Sequence, residues 1–164
     1  MNVDNFREMY IAELQELRSV ETQLVEALPK MANMASHPEL KQAIQAHLEE
    51  TRKQQSRLDE VLRRCGAEPR EHVDQAMQAM LKEAEKWANM VQDADLRDAG
   101  LIASAQRVEH YEIAVYGSLA TWAKQLGLQE DLQVLHAILE EEKRADEKLS
   151  ALAKREVNPD AAAA

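Results

Sequence analysis

Residues that interrupt helices are scarce in this sequence, which has four glycines and four prolines in 164 residues. Average usage would give about 20 of them in a chain of this length. Aromatic residues, which favour strands, make up only 4% of the chain. Apolar residues instead recur at steps of three and four, which is the period of an amphipathic α-helix. The sequence therefore predicts an all-α fold.

Four long helices are predicted from this periodicity and from the capping signals between its segments. The segment Ser36-His37-Pro38-Glu39 has the pattern of a capping box with a proline in the first turn. Asp93 or Asp95 is expected to cap the third long helix, and Gly66 and Gly127 follow helix ends. The predicted helices cover residues 3 to about 34, 38 to about 65, 95 to 126 and 129 to about 158.

The lengths of the connections suggest how these helices are arranged. The first and third connections are short, so the helices that they join should be antiparallel neighbours. The second connection, residues 66–94, is long enough to cross a bundle from end to end and contains a weaker helix at about 71–90. This indicates a ferritin-like antiparallel four-helix bundle with a long crossover. An up-down bundle with a fifth helix packed outside is the alternative. One domain is expected over residues 1–158, with a disordered tail at 159–164.

Acidic residues interrupt the apolar line of every long helix near its middle. An ionised carboxylate inside a protein costs several kcal/mol, and a cluster of like charges costs more. The acids could be protonated, paired with buried Arg or Lys, or bound to metal cations. The inner lines offer His47 and Gln54 but no obvious Lys or Arg, so the metal interpretation is favoured. The predicted ligands are Glu21, Glu50, Glu109, Glu112, Glu142 and Asp146.

Each of these residues also has a structural interpretation. A single acid on an apolar line is usually a boundary residue whose carboxylate reaches water. His47 alone is more often a hydrogen-bonded core histidine than a ligand, and His110 lies off the line, as a surface residue or one that orients a neighbouring glutamate. All four helices carry acids at matched depth. The structural interpretation is therefore less favoured for the whole set than for any single residue.

Charge and cysteine content restrict the partners and the compartment. Thirty acidic against 20 basic residues leave a net charge of -10, which argues against nucleic acid as a partner. No apolar stretch predicts a membrane span, and the first ten residues lack the pattern of a secretory signal. The single Cys65 excludes an internal disulfide and fits a reducing compartment. We therefore expect a cytoplasmic protein with no nucleic-acid or membrane partner.

Four segments of the chain resemble one known family. The runs LPKMA (28–32), HPELKQAIQAHLEET (37–51), QRVEHYEIAVYGSLATWA (106–123) and LEEEKRADEKL (139–149) are similar to the YciE/YciF family of ferritin-like proteins. The third-helix motif VEHYEIAVYG is the most specific of them. The resemblance covers about residues 3–155. It implies a ferritin-like bundle, a homodimer in the bacterial cytoplasm, and an association with stress responses.

The wider ferritin-like class implies a set of metal ligands by resemblance. Its di-iron members typically supply one Glu from the first and third helices and a Glu-x-x-His pair from the second and fourth. Glu21, Glu50, Glu109 and Glu142 match the four glutamates, and Glu112 completes a Glu-x-x-Glu pattern. The two histidines are replaced here by Lys53 and Ala145. Gln54 and Asp146, one residue further on, are candidate substitutes.

Two metal ions held mainly by carboxylate oxygens would be hard ions, iron or manganese. Glu50 and Glu142 are the expected bridging ligands. Such a centre would belong to a di-metal oxidoreductase that handles peroxide, dioxygen or ferrous iron, similar to a peroxidase or catalase or to a ferroxidase. An external reductant would be needed, because no CxxC pair is present. Two alternatives remain open: a non-enzymatic scaffold or interaction protein with a vestigial or structural metal site, and iron storage in a cage.

Overall fold

The computed structural model describes residues 3–164, and its regular structure is helical. Helices α1, α2, α4 and α5 are the long ones, α3 lies in the connection between α2 and α4, and a turn of π-helix joins α5 to the short α6. Their bounds are α1 Phe6–Met34, α2 Pro38–Arg64, α3 Gln75–Met90, α4 Ala94–Gln125, α5 Gln129–Leu152, the π-helical turn Ala153–Val157 and α6 Asn158–Ala163. The prediction of an all-α fold is confirmed.

Most helix ends form where the sequence placed them. Asp93 caps α4 by accepting hydrogen bonds from the backbone N–H groups of Asp95 and Leu96. The chain leaves α2 at Gly66 with φ of +78° and leaves α4 at Gly127 with φ of +74°. Glycine takes this left-handed conformation without a steric penalty, so both residues allow the chain to reverse sharply.

The start of α2 is formed differently from the prediction. The N-terminal cap of α2 is His37, and its side chain makes no capping hydrogen bond. The carboxylate of Asp98, from α4, accepts hydrogen bonds from the backbone N–H of Ser36 at 2.9 Å and of His37 at 2.6 Å. The predicted capping box at residues 36–39 is therefore wrong, because an acid distant in the sequence satisfies these donors.

The long helices form an antiparallel four-helix bundle of the predicted ferritin-like kind. Helix α1 packs against α2, α4 packs against α5, and these pairs meet through α2 with α5 and α1 with α4. The crossover between α2 and α4 carries α3, which packs against α4 and α1. The largest fully buried side chains include Tyr10, Leu14, Leu17, Leu24, Leu40, Leu58, Leu62, Met77, Ile102, Tyr116, Leu119 and Leu135.

The C-terminal segment continues the helical structure beyond α5. The sequence predicted disorder from residue 159, whereas α6 extends to Ala163 and packs against α4. The preceding π-helical turn contacts the start of α2, with Arg155 Nη2 2.6 Å from Glu39 Oε2 and His37 Nε2 3.1 Å from Glu156 Oε2. Among the described residues, no helix is long and apolar enough to cross a membrane.

Candidate metal centre

Four buried acids converge in the middle of the bundle, where apolar side chains would be expected. Glu21 comes from α1, Glu109 and Glu112 from α4, and Glu142 from α5, and none of them is more than 2% exposed. The steps of three and four along each helix place these acids on the faces that carry core leucines. Burial of all four carboxyl groups at one level is the feature that any function of this protein must explain.

Helix α2 adds a nitrogen donor to this group. His47 is 7% exposed, and its Nε2 lies 3.2 Å from Glu109 Oε1 and 3.9 Å from Glu142 Oε2. One ligand atom from each of His47, Glu109, Glu112 and Glu142 lies within 4.8 Å of the other three. We call these four residues the ligand group. Imidazole nitrogen and carboxylate oxygen are the donors that iron, manganese and zinc take in proteins.

Two neutral side chains hold acids of the centre in place. The hydroxyl of Tyr116 donates a hydrogen bond to Glu21 Oε1, and Gln54 Nε2 donates to Glu142 Oε1. Both donors are fully buried. Each bond satisfies one oxygen of its carboxylate and leaves the other without a partner.

Many of the oxygen and nitrogen atoms in this centre that could bind a metal have no hydrogen-bond partner. Both oxygens of Glu112 are unpartnered, as are Oε2 of Glu21, Glu109 and Glu142 and both ring nitrogens of His47. Buried polar atoms are normally hydrogen-bonded, because an unsatisfied one costs about 1–3 kcal/mol. Such a concentration of unpartnered polar atoms could hold a metal ion.

The two arginines whose charges act on Glu21 are each paired with another acid. Arg57 pairs with Glu141, with Nη1 3.1 Å from Oε1, and Arg18 pairs with Asp59. Burial, together with the charge of Glu142, raises the pKa of Glu21, Glu109 and Glu112 well above the usual value for a glutamate. Burial likewise raises the pKa of Glu142, against the opposing effect of His47. Burial in the bundle centre therefore disfavours the ionised form of these carboxyl groups.

Three predicted site residues lie outside this centre. The side chain of Glu50 is 43% exposed, and its Oε2 lies 3.9 Å from His47 Nδ1. Asp146 is partly exposed and accepts a hydrogen bond from Gln106 Nε2 at 3.0 Å. His110 is largely exposed, and its Nε2 lies 3.4 Å from Asp146 Oδ2. The structure thus brings together Glu21, Glu109, Glu112 and Glu142 with His47 and Gln54.

Helical spacing alone does not determine whether Glu50 or Thr51 lies on the buried face of α2. After His47, the buried line of α2 continues through Thr51 and Gln54, four and seven residues on, rather than through Glu50. Thr51 is fully buried and donates its hydroxyl to the carbonyl of His47. On α5 the spacing likewise does not distinguish Glu142 from Asp146. Glu142 is buried, whereas Asp146 lies at the edge of the bundle centre.

Comparison with known proteins assigns the chain to a family. Residues 5–162 match the model of a family described as a domain of unknown function, DUF892. The chain belongs to the DUF892 family. This match covers almost the whole chain, and it agrees with the resemblance to YciE/YciF proteins found in the sequence motifs.

Two similar proteins have solved structures with the same architecture. Protein YciF of Escherichia coli K12 is 42% identical over 159 residues, which are 96% of each chain. The crystal structure of this E. coli stress protein superposes with a TM-score of 0.91 at 41% identity, covering 95% of this chain and 99% of YciF. YcfI from Rhodopseudomonas palustris gives a TM-score of 0.89 at 38% identity, covering 91% of this chain and 95% of that one.

A more distant structure supports the fold alone. A protein from Xanthomonas campestris pv. campestris is 24% identical, has a TM-score of 0.74 and covers 92% of each chain. The identity to YciF over almost the whole chain confirms the resemblance to the YciE/YciF family, and the chain is a homologue of a protein described as a stress protein.

Proposed function

We propose that this DUF892 protein is a stress-associated di-metal protein that binds iron or manganese and acts on peroxide, dioxygen or ferrous iron. The observation that carries the proposal is the ligand group, in which four buried side chains from three helices bring unpartnered donor atoms within 4.8 Å of one another. The homology of this chain to YciF, which is described as a stress protein, supports the association with stress.

The residues present fit such ions in charge and in chemistry. Glu21, Glu109, Glu112 and Glu142 contribute four negative charges when ionised, and two divalent ions contribute four positive charges, so -4 + 4 = 0. Neutralising a buried cluster removes the main cost of keeping it in the core. Carboxylate oxygens with one imidazole favour iron or manganese over softer ions. The ligand group would hold one ion, and Glu21 Oε2 and Gln54 Oε1, which are both unpartnered, are the remaining candidate ligand atoms for a second.

The surrounding residues have defined roles in this proposal. Tyr116 and Gln54 each fix one carboxylate oxygen and so set the orientation of Glu21 and Glu142. Packed side chains such as Leu24, Leu58 and Leu135 are fully buried and exclude bulk water from the bundle centre. Bound iron or manganese would supply the electrons that reduce peroxide or dioxygen. Metal ions would compete with protons for these carboxyl groups, because burial raises the pKa of Glu109 and Glu112 well above the usual value for a glutamate.

Metal analysis of the purified protein tests the proposal. Chelator-treated protein reloaded with Fe²⁺ or Mn²⁺ should retain about two ions per chain after gel filtration. Glu109→Gln and Glu142→Gln should lower that number and any peroxide or ferroxidase rate together. Glu49→Gln is the matched control, since this glutamate is exposed and paired with Arg52. Wild-type protein that retains no ion and is not stabilised by Fe²⁺ or Mn²⁺ would favour the scaffold alternative instead.

The quaternary structure and setting also belong to the proposal. We propose a cytoplasmic homodimer that takes electrons from an external reductant, since Cys65 is the single cysteine of the chain. Size-exclusion chromatography with light scattering distinguishes a dimer from the shell of 12 or 24 subunits that iron storage in a cage would need.

A further inference from the structure

A small cavity leads from the protein surface to the candidate metal centre. It lies among α1, α2, α4 and α5, has a volume of about 60 Å³, and reaches both His47 and Glu109. His47 is 7% and Glu109 is 2% exposed, and each has polar atoms without a partner. The inner end of the cavity is therefore formed by members of the ligand group rather than by satisfied core residues.

The outer end of the cavity is formed by exposed and charged residues. Ala46 and Lys148 are exposed, and the side chain of Glu50 is 43% exposed with Oε2 3.9 Å from His47 Nδ1. Glu50 thus faces solvent and the ligand group at the same time. Small side chains at Ala43, Ala105 and Ala145 line the walls between the two ends and keep the passage open.

We propose that this cavity is the access path by which metal ions and small oxidants reach the centre, with Glu50 as a transit ligand that passes cations to His47 and Glu109. The inference rests on the proposed function, and it gives Glu50 a role outside the final ligand set. The substrate class follows from the volume. Pockets for drug-sized ligands measure about 300–1,000 Å³, whereas about 60 Å³ accepts a few water-sized molecules. Metal ions, peroxide and dioxygen pass; larger organic substrates do not.

Charges at the outer end make the path selective by sign. The carboxylate of Glu50 attracts cations, so neutralising it should slow cation uptake. The ammonium of Lys148 repels cations, so neutralising it should accelerate uptake. Neither change should alter the rate at which a neutral oxidant such as peroxide enters the cavity. A plug in the cavity wall, in contrast, slows ions and neutral molecules alike.

The test measures how fast chelator-treated protein takes up Co²⁺, followed by its visible absorption in a stopped-flow instrument. Ala145→Phe places a ring in the cavity wall and should lower the uptake rate constant by about tenfold or more, because each passage then waits for a local opening. The dissociation constant and the number of ions bound should stay close to the wild-type values. Ala137→Phe on the same helix is the matched control, since Ala137 is exposed and does not line the cavity.

A second plug and the two charge variants keep the test decisive. Ala46→Phe, at an exposed position of the outer end, repeats the test if Ala145→Phe unfolds the chain. Glu50→Gln should slow Co²⁺ uptake about threefold and Lys148→Gln should accelerate it, with both effects weakened by salt. Wild-type uptake rates in both plug variants would overturn the path while leaving the metal centre intact. Loss of one bound ion in Glu50→Gln would make Glu50 a permanent ligand and overturn its transit role. Wild-type protein that binds no Co²⁺, Fe²⁺ or Mn²⁺ would overturn the proposed function itself.

Discussion

The hydroxyl of Tyr116 donates a hydrogen bond to Oε1 of Glu21, and this bond joins α4 to α1 in the buried centre of the bundle. Both side chains are fully buried. Burial raises the pKa of Tyr116 well above that of a free tyrosine, and the charges of Glu21 and Glu142 add to the effect. Tyr116 therefore remains a neutral hydrogen-bond donor, and Oε2 of Glu21 has no hydrogen-bond partner.

Tyr116→Phe should destabilise the metal-free protein by about 1–3 kcal/mol, because it leaves Glu21 without its buried donor while keeping the aromatic packing. Urea unfolding in the presence of a chelator measures this loss. Tyr111→Phe is the matched control: its hydroxyl donates to Asp74 Oδ2 at 2.9 Å from a partly exposed position, so the loss should be smaller. Equal losses in the two variants would contradict a special role for Tyr116.

Glu112→Leu should have opposite effects with and without metal. Glu112 is fully buried and both of its oxygens are unpartnered, so its replacement by an apolar side chain should stabilise the metal-free protein by about 1–4 kcal/mol. The same change removes a member of the ligand group and should reduce the rise in melting temperature that Mn²⁺ or Fe²⁺ produces. Glu60→Leu, at an exposed position, should alter neither quantity by much. A Glu112→Leu protein stabilised by metal as strongly as the wild type would contradict the assignment.

The sequence located the buried acids because helical periodicity identifies the face of a helix. Glu21, Glu109, Glu112 and Glu142 all lie on helical lines whose other members are mainly apolar. Periodicity does not decide between steps of three and four, and so it could not separate Glu50 from Thr51. It also could not raise His47 above an ordinary core histidine, because its proximity to Glu109 depends on the packing of α2 against another helix.

The stability of the metal-free protein should fall as the pH rises above about 4.3, the usual pKa of a glutamate in an unfolded chain. Glu21, Glu109, Glu112 and Glu142 have raised pKa values in the folded state, so the folded protein binds more protons than the unfolded chain between those values. The free energy of unfolding therefore decreases as the pH rises above the pKa of glutamate in the unfolded chain.

Urea unfolding between pH 5 and 8 with a chelator measures this slope. Saturating Mn²⁺ should flatten or reverse it, because metal ions compete with protons for the same carboxylates and bind better at higher pH. Glu112→Leu should reduce the slope without metal, since one of the titrating groups is gone. A metal-free stability that rises steadily over this range would contradict the raised pKa values.

The helix bounds were largely predictable because their signals are local in the sequence. Asp93, Gly66 and Gly127 act on residues next to them, and each was found at the predicted end. The start of α2 was not predictable in this way, since its donors bond to Asp98, more than 60 residues further along the chain. A local motif that matches a capping box can therefore be replaced by a tertiary contact.

Asp98→Ala should cost about 2 kcal/mol in the free energy of unfolding, at the upper end of the range for helix caps, because Asp98 is 2% exposed and accepts from two backbone N–H groups. Ser36→Ala should change the stability by no more than about 0.5 kcal/mol, since the Ser36 hydroxyl makes no capping bond to α2. Urea unfolding of both variants with and without metal compares the two. A cap at this end of α2 lies away from the ligand group, so neither variant should alter the number of ions bound. A larger loss in the free energy of unfolding for Ser36→Ala than for Asp98→Ala would support the capping box. It would also contradict the contact with α4 as the reason that α2 begins at Pro38.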